Sequence, residues 1–179
     1  SQSRRHRQVH LLPLGEGVTI EPMQTFPVIK DLVTDVSWNY AVKKRIPILK
    51  TIAPEADGTW RMNQYDVDRP QEFRKCIECF LCQDVCHVLR EHNLHDEFIG
   101  PRFLIHIAQL EMNPIDDDDR TGQLKNDYGI GYCNITKCCT SVCPEGIKIT
   151  DNAIIPLKER VADRFYDPVL RLFGIGAKK

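Results

Sequence analysis

The chain has 179 residues, 24 Lys and Arg against 25 Asp and Glu, a net charge of −1 and 42% hydrophobic residues. That balance leaves no electrostatic footprint for nucleic acid, and no apolar run approaches the roughly 18 residues of a membrane-spanning helix. All eight cysteines lie between Cys76 and Cys143 and residues 1–10 hold no apolar signal-peptide core, which points to a bound cofactor instead of a secreted disulfide framework.

Residues 1–17 start basic (Arg4, Arg5, Arg7) and carry no period, so an irregular lead-in is expected. Val18-Thr19-Ile20-Glu21-Pro22 alternates and is β-branched, which predicts a short strand stopped by Pro22. From 28 to 40, Val28, Leu32, Val33, Val36 and Tyr40 recur at the period of one helix face. Residues 45–68, with Pro47, Pro54 and Gly58, read as a long ordered loop. Pro70 fits the first turn of a helix ending near Cys76, with Phe73 inward. Helices are predicted over 83–91, with Val85, Val88 and Leu89 on one side, and over 101–112, opened by Gly100-Pro101 and carrying Phe103, Leu104, Ile107 and Leu110. Residues 113–131 read as a polar loop whose acidic run 116–119 is solvated, because it lacks the spaced ligands and glycine of a calcium loop. Asp151 is placed to N-cap a last helix with Ile154, the Lys158 stem, Val161 and Phe165 on one face and Pro156 in its first turns. The expected class is mainly α, short helices joined by long loops, with an irregular N-terminal lead-in. Its expected parts are a lead-in over 1–22, a helix and linker over 23–69, a cysteine-bearing domain over 70–168 and a tail over 169–179.

Cys76-Ile-Glu-Cys79-Phe-Leu-Cys82-Gln-Asp-Val-Cys86 has the spacing C-x2-C-x2-C-x3-C of bacterial ferredoxins. Two-residue gaps wrap three thiolates around one cluster, while the fourth, three residues on, serves a second cluster. The partner run is Cys133-Asn-Ile-Thr136-Lys-Cys138-Cys139-Thr-Ser-Val-Cys143, with Thr136 where the second thiolate belongs. Interlocking the two runs assigns Cys76, Cys79, Cys82 and Cys143 to a [4Fe–4S] cluster. Cys86, Cys133 and Cys139 are left for the other, and three thiolates with a missing corner fit a [3Fe–4S] cluster. The expected fold of residues 70–168 is therefore an α-helical ferredoxin-like domain around two iron–sulfur clusters. Cys138 is either a small packed side chain beside a ligand or an extra ligand that makes the second cluster [4Fe–4S]. A zinc-stabilised interaction module is the alternative of a different class, but it leaves the repeated spacing unexplained. A c-type haem is a near miss, since Cys82 and Cys86 before His87 are separated by three residues where C-x-x-C-H has two.

Ile77, Phe80, Leu81, Ile135, Val142 and Ile147 would keep water off the sulfurs. His92 and His95 read as surface or helix histidines, whereas His87 directly follows Cys86 and offers a titratable donor beside the second cluster. No Gly-rich phosphate loop, G-x-S-x-G elbow or H-E-x-x-H is present.

These residues resemble the iron–sulfur subunit of succinate dehydrogenase/fumarate reductase, of the actinobacterial, menaquinone-linked type. The resemblance runs from about residue 19 to 168. It is carried by Phe26-Pro-Val-Ile-Lys-Asp-Leu-Val-Thr-Asp-Val-Ser37, by residues 71–82, by Gly131-Tyr-Cys-Asn-Ile-Thr-Lys-Cys-Cys139, and by Cys143-Pro-Glu with Ile147-Lys-Ile-Thr-Asp-Asn-Ala153. It implies the same seven ligands, with the [3Fe–4S] cluster nearest the quinone. It also implies an FAD-containing flavoprotein partner, a membrane anchor with haem b, menaquinone or ubiquinone nearby, and a peripheral seat on the cytoplasmic face of the bacterial inner membrane. The substrate chemistry would lie on another chain. Two departures stand out. The family begins with a plant-type ferredoxin domain holding a [2Fe–2S] cluster, and no cysteine precedes Cys76 here. Residues 19–22 resemble that domain's last strand, so the [2Fe–2S] cluster is expected on a missing segment or another chain. Many relatives also place Pro and tryptophans after the ligand equivalent to Cys86, where this sequence has His87-Val-Leu-Arg90, so His87, Arg90 and Lys137 are the quinone-proximal candidates. Iron–sulfur subunits of heterodisulfide-reductase-like or glycolate-oxidase-like complexes are the alternative within redox chemistry, although those usually keep Cys at the place of Thr136.

Overall fold

In the computed structural model, which describes residues 20–168, the helices are short because the sequence keeps interrupting them. The first regular element of the described residues is an antiparallel hairpin of β1 (Val28–Lys30) and β2 (Val33–Thr34), with Val28 opposite Thr34 and Lys30 opposite Val33. A helix over 28–40 was expected. Instead Asp31 turns the chain at φ 53°, β-branched Val28, Ile29 and Val33 adopt the extended form they favour, and their side chains are exposed. Helix α1 (Ser37–Arg45) follows, burying Asn39 and Val42. The predicted strand over 18–22 falls partly outside the described residues, and Ile20, Glu21 and Pro22 lie in no regular element. The basic lead-in and the tail over 169–179 lie outside the described residues.

The long ordered loop expected over 45–68 is shorter, covering residues 46–63 because a helix begins at Gln64; it is anchored by a bridge between Thr51 and Asp116 and by the Asp117 N–H bonded to the Lys50 carbonyl at 2.7 Å. Helix α2 (Gln64–Gln71) holds Pro70 in its last turn, not its first as expected. A 3-10 turn, Glu72–Lys75, then carries buried Phe73 and delivers the chain to Cys76. The helix predicted over 83–91 is two, α3 (Leu81–Asp84) and α4 (His87–Arg90), separated by Cys86 in an extended conformation.

Helix α5 (Pro101–Glu111) is the centre of the core. Gly100 starts it at φ 81° and ψ 169°, and Pro101 sits in its first turn, where a missing N–H costs nothing. Nearly every α5 side chain is buried, as suits a helix apolar around most of its circumference. It packs against α2, α3, the turn Glu72–Lys75 and the wide π turn Ile149–Ile154. That π turn feeds α8 (Ile155–Tyr166), which buries Leu157 and Val161. Pro156 has no N–H to complete an α-helical bond to the carbonyl of residue 152, and the ladder widens just before it. Asp151 does not cap this helix; its carboxylate pairs with Lys137.

The segment 113–131 is less loop-like than expected. It contains α6 (Thr121–Asn126), held against α8, and the 3-10 turn Ile130–Tyr132. Its acidic run is not wholly solvated either, because Asp116 is buried and accepts from Arg120 Nη1 at 2.8 Å. Arg120 itself is fully buried, also donating to the Ile48 carbonyl at 3.1 Å and facing Glu111 at 3.6 Å. A last short helix, α7 (Cys138–Val142), packs on α3.

Candidate metal centres

The two cysteine runs fold alike. In the first, a 3-10 turn ends on Cys76 (φ −66°, ψ 115°), Glu78 and Phe80 take φ 56° and 58°, and α3 begins. In the second, a 3-10 turn ends on Cys133 (φ −70°, ψ 119°), Ile135 and Lys137 both take φ 63°, and α7 begins. The run-ending Cys86 and Cys143 are extended as well, at φ −75°, ψ 108° and φ −65°, ψ 116°. None of the four left-handed residues is glycine, and for β-branched Ile135 the conformation is an outlier. Such strain costs on the order of 1–3 kcal/mol per residue and persists where a site over-determines it. Left-handed residues at alternate positions turn backbone N–H groups into a concavity suited to an anionic group. Glu78 is fastened from outside by Lys43 at 2.7 Å and Arg102 at 2.6 Å. The hydrogen bond from Lys43, with that from Arg102, holds its carboxyl below the usual range.

This geometry gathers the thiols into two pockets. Cys76, Cys79 and Cys82 from the first run and Cys143 from the second line one, walled by Ile77, Phe80, Ile105, Ile147 and Ile149. Cys133, Cys138 and Cys139 from the second run and Cys86 from the first line another, with His87, Thr136, Lys137 and Thr150 around it. The two pockets adjoin, since α3 packs on α7 and Cys82 lies within electrostatic reach of Cys139.

Burial pushes the Cys82 thiol well up, with the charges of Cys139, Cys76, Cys79 and Cys143 adding to it. Burial likewise raises Cys139 to about 11, against a contact with the Thr150 hydroxyl at 3.4 Å that pulls the other way. Cys86 and Cys143 are raised by burial too, opposed by backbone N–H groups of Leu89 and Val88 on Cys86 and of Ile147 and Glu145 on Cys143. Crowded thiols of this kind stay protonated on their own and give up their protons to a cation. Among the described residues no group of three or more His, Cys, Asp or Glu converges on a single-ion site. All-sulfur donors spread around an apolar pocket therefore fit a polynuclear iron–sulfur centre better than a tetrahedral zinc ion at its Zn–S distance of about 2.3 Å.

The other expected residues separate. His87 and Lys137 are at the second pocket, where His87 Nε2 meets Asn134 Nδ2 at 2.7 Å and Lys137 pairs with Asp151 at 2.6 Å. Arg90 is not among that pocket's lining residues; it pairs with Glu91 at 2.8 Å. His92 stands edge-on to His87 with ring centroids 6.4 Å apart, and His95 packs edge-on to Trp38 at 4.8 Å. Cys138 is only partly buried, and its Sγ lies 3.2 Å from Thr136 Oγ1. Sequence reasoning missed Thr150, Asn134 and the Lys158 ammonium, which donates to the Cys133 carbonyl. These contacts come from segments far apart in the chain, so no local pattern announces them.

Residues 72–147 match the family described as a 4Fe-4S dicluster domain. The fold matches a chain of the solved Mycobacterium smegmatis Sdh1 complex in the apo form with a TM-score of 0.85 and 56% sequence identity, covering 90% of this chain and 68% of that one. The chain belongs to the iron–sulfur subunits of succinate dehydrogenases and fumarate reductases. It is 31% identical over 138 residues to the fumarate reductase iron–sulfur subunit of Mycobacterium tuberculosis, covering 73% of this chain and 53% of that relative. With the succinate dehydrogenase iron–sulfur subunit of Paracoccus denitrificans it shares 29% over 150 residues, 82% of this chain and 57% of that relative. The chain thus spans about half the length of these curated iron–sulfur subunits. The expectations of a mainly α chain and of iron–sulfur cofactors stand with this family. Among the described residues no helix is long and apolar enough to cross a membrane.

Proposed function

We propose that this chain relays single electrons between an FAD-containing flavoprotein and a membrane quinone, as the electron-transfer subunit of a succinate dehydrogenase or fumarate reductase. The observation that carries this reading is the pair of adjoining thiol pockets, each completed by a cysteine from the other run. Residues 70–168 would form the cluster-holding domain. Cys76, Cys79, Cys82 and Cys143 would hold a [4Fe–4S] cluster, and Cys86, Cys133 and Cys139 a [3Fe–4S] cluster nearer the quinone. Such clusters, when bound, supply one-electron steps without atom transfer.

The chain's own residues supply the surroundings. Ile77, Phe80, Ile105, Ile147 and Ile149 limit water at the first pocket, and amide groups directed at Cys86 and Cys143 favour the thiolate. His87 and Lys137, which line the more polar second pocket, would be the side chains that meet a quinone, with Arg90 a third candidate outside its lining. The chain would sit on the cytoplasmic face of the membrane through an anchor subunit.

The test is anaerobic purification of the complex that contains this chain. The expected result is a brown assembly with flavin and with about seven irons and eight acid-labile sulfides per copy from these two pockets. A colourless protein carrying zinc, or a brown protein with no flavoprotein partner, would sink the reading.

A further inference from the structure

We propose that Cys138 is the ligand for a fourth iron in the second pocket, so that this site interconverts between three-iron and four-iron clusters. The proposal rests on the reading that the pocket holds an iron–sulfur cluster.

The repeated spacing puts Thr136 at the corner that Cys79 occupies in the first pocket. Cys138 Sγ lies 3.2 Å from Thr136 Oγ1, which brings this thiol to the vacant corner. It lines the same pocket as Cys86, Cys133 and Cys139. Cys138 and Cys139 are the first two residues of α7. Successive helical residues diverge by about 100° around the axis, so two thiols at the start of one helix can address two corners of a centre seated beyond its end. The residue equivalent to Cys138 in the first run is Leu81. Where the run has its full set of cysteines, that position is aliphatic; where the second cysteine is missing, it is a thiol.

In the forward step Cys138 releases its proton to solvent, to which it is partly open, and its sulfur bonds an incoming ferrous ion. A low-potential one-electron reductant supplies the electron, so that [3Fe–4S]+, Fe2+ and one electron give [4Fe–4S]2+. One-electron oxidation with loss of Fe2+ reverses it. Reduction potential depends on cluster type, so occupancy of this corner would set how readily electrons pass the second site.

The intact complex, purified anaerobically, would be treated with dithionite and 57Fe2+, desalted, gently reoxidised and read by EPR and Mössbauer spectroscopy. The wild type should lose the oxidised [3Fe–4S] signal and retain about one labelled iron per chain; Cys138→Ala should keep the signal and retain none. A wild type isolated already in the four-iron form would lack the signal from the start, and Cys138→Ala would then display it. The reduced [4Fe–4S] signal of the first pocket reports that the variant is folded, and Cys138→Leu, which copies Leu81, should behave as Cys138→Ala does. A wild-type [3Fe–4S] signal that survives treatment, or conversion that proceeds equally in both variants, would overturn the proposal. Absence of labile sulfide from every sample would instead overturn the reading beneath it.

Discussion

Gln83 Oε1 occupies the space that a Cβ on Gly100 would need, so the side chain that locks α3 to α5 fits only because residue 100 has none. Gln83 is fully buried, donates to the Ile99 carbonyl at 3.1 Å and to Asn39 Oδ1 at 3.4 Å, and accepts from the Arg102 N–H at 3.3 Å. It thereby joins α3, the helix inside the first cysteine run, to α1 and to the start of the core helix. Gly100 also has φ 81° and ψ 169°, a region almost confined to glycine. Gly100→Ala should cost roughly 2–4 kcal/mol through strain and the displaced amide, seen as a lower denaturation midpoint and reduced iron content. An unchanged midpoint would mean that Gln83 moves aside freely.

Arg120 predicts a second large loss. Its guanidinium joins Asp116, Glu111 and Asp118, and Glu111 also accepts from Arg160 at 3.1 Å and from the Arg120 N–H at 2.8 Å. Arg120→Met keeps much of the volume but takes the guanidinium away from buried Asp116 and leaves buried Glu111 with Arg160 as its remaining cation. Removing one partner from such a buried network typically costs about 3–5 kcal/mol. Urea unfolding of the variant measures it, and a loss well under 1 kcal/mol would show that water replaces the guanidinium.

His106 makes stability pH-dependent. Burial, helped by the Arg102 charge, lowers its pKa from the ordinary 6.5, and Nδ1 is buried with no hydrogen-bond partner among the described residues. Between the lowered folded value and 6.5 the unfolded chain binds more protons, so stability rises with pH there. This contribution is complete above 6.5 and is lost as pH falls from there through the folded value. His106→Leu should flatten the drop in denaturation midpoint between about pH 7.5 and 5.5. A parallel drop in both proteins would assign the effect to other groups.

Cys143 tests the crossing of the two runs. It shares a pocket with Cys76, Cys79 and Cys82, not with its sequence neighbour Cys139. Cys143→Ala should abolish the [4Fe–4S] signal while the oxidised [3Fe–4S] signal remains. The opposite pattern in EPR would break the interlocked assignment.

The cysteine runs were legible in the sequence because ligand spacing is local, as were the long segment after α1 and helix α5, whose Gly-Pro start and aliphatic face agree. What was hidden depends on partners far along the chain. Val28 and Val33 have helix spacing yet point outward from a hairpin. Polar Thr121–Asn126 is helical because α8 packs against it, and Asp116 is buried because Arg120 is buried with it. The helix expected over 83–91 is split because Cys86 turns extended to reach the second pocket. Cys138 looked like a spare beside a ligand; its position next to Thr136 emerges only from the left-handed turns at Ile135 and Lys137.

The exchange of Cys86 and Cys143 between pockets also gives the chain the topology of a clasp. Once ligated, the first pocket ties Cys82 to Cys143 and the second ties Cys86 to Cys133, so nearly all of α5 and α6 lies inside closed loops. Cross-links spanning long stretches restrict the unfolded chain most. Loss of either centre would therefore loosen the core helix between the runs, making cofactor damage a signal that proteases and chaperones can read as unfolding.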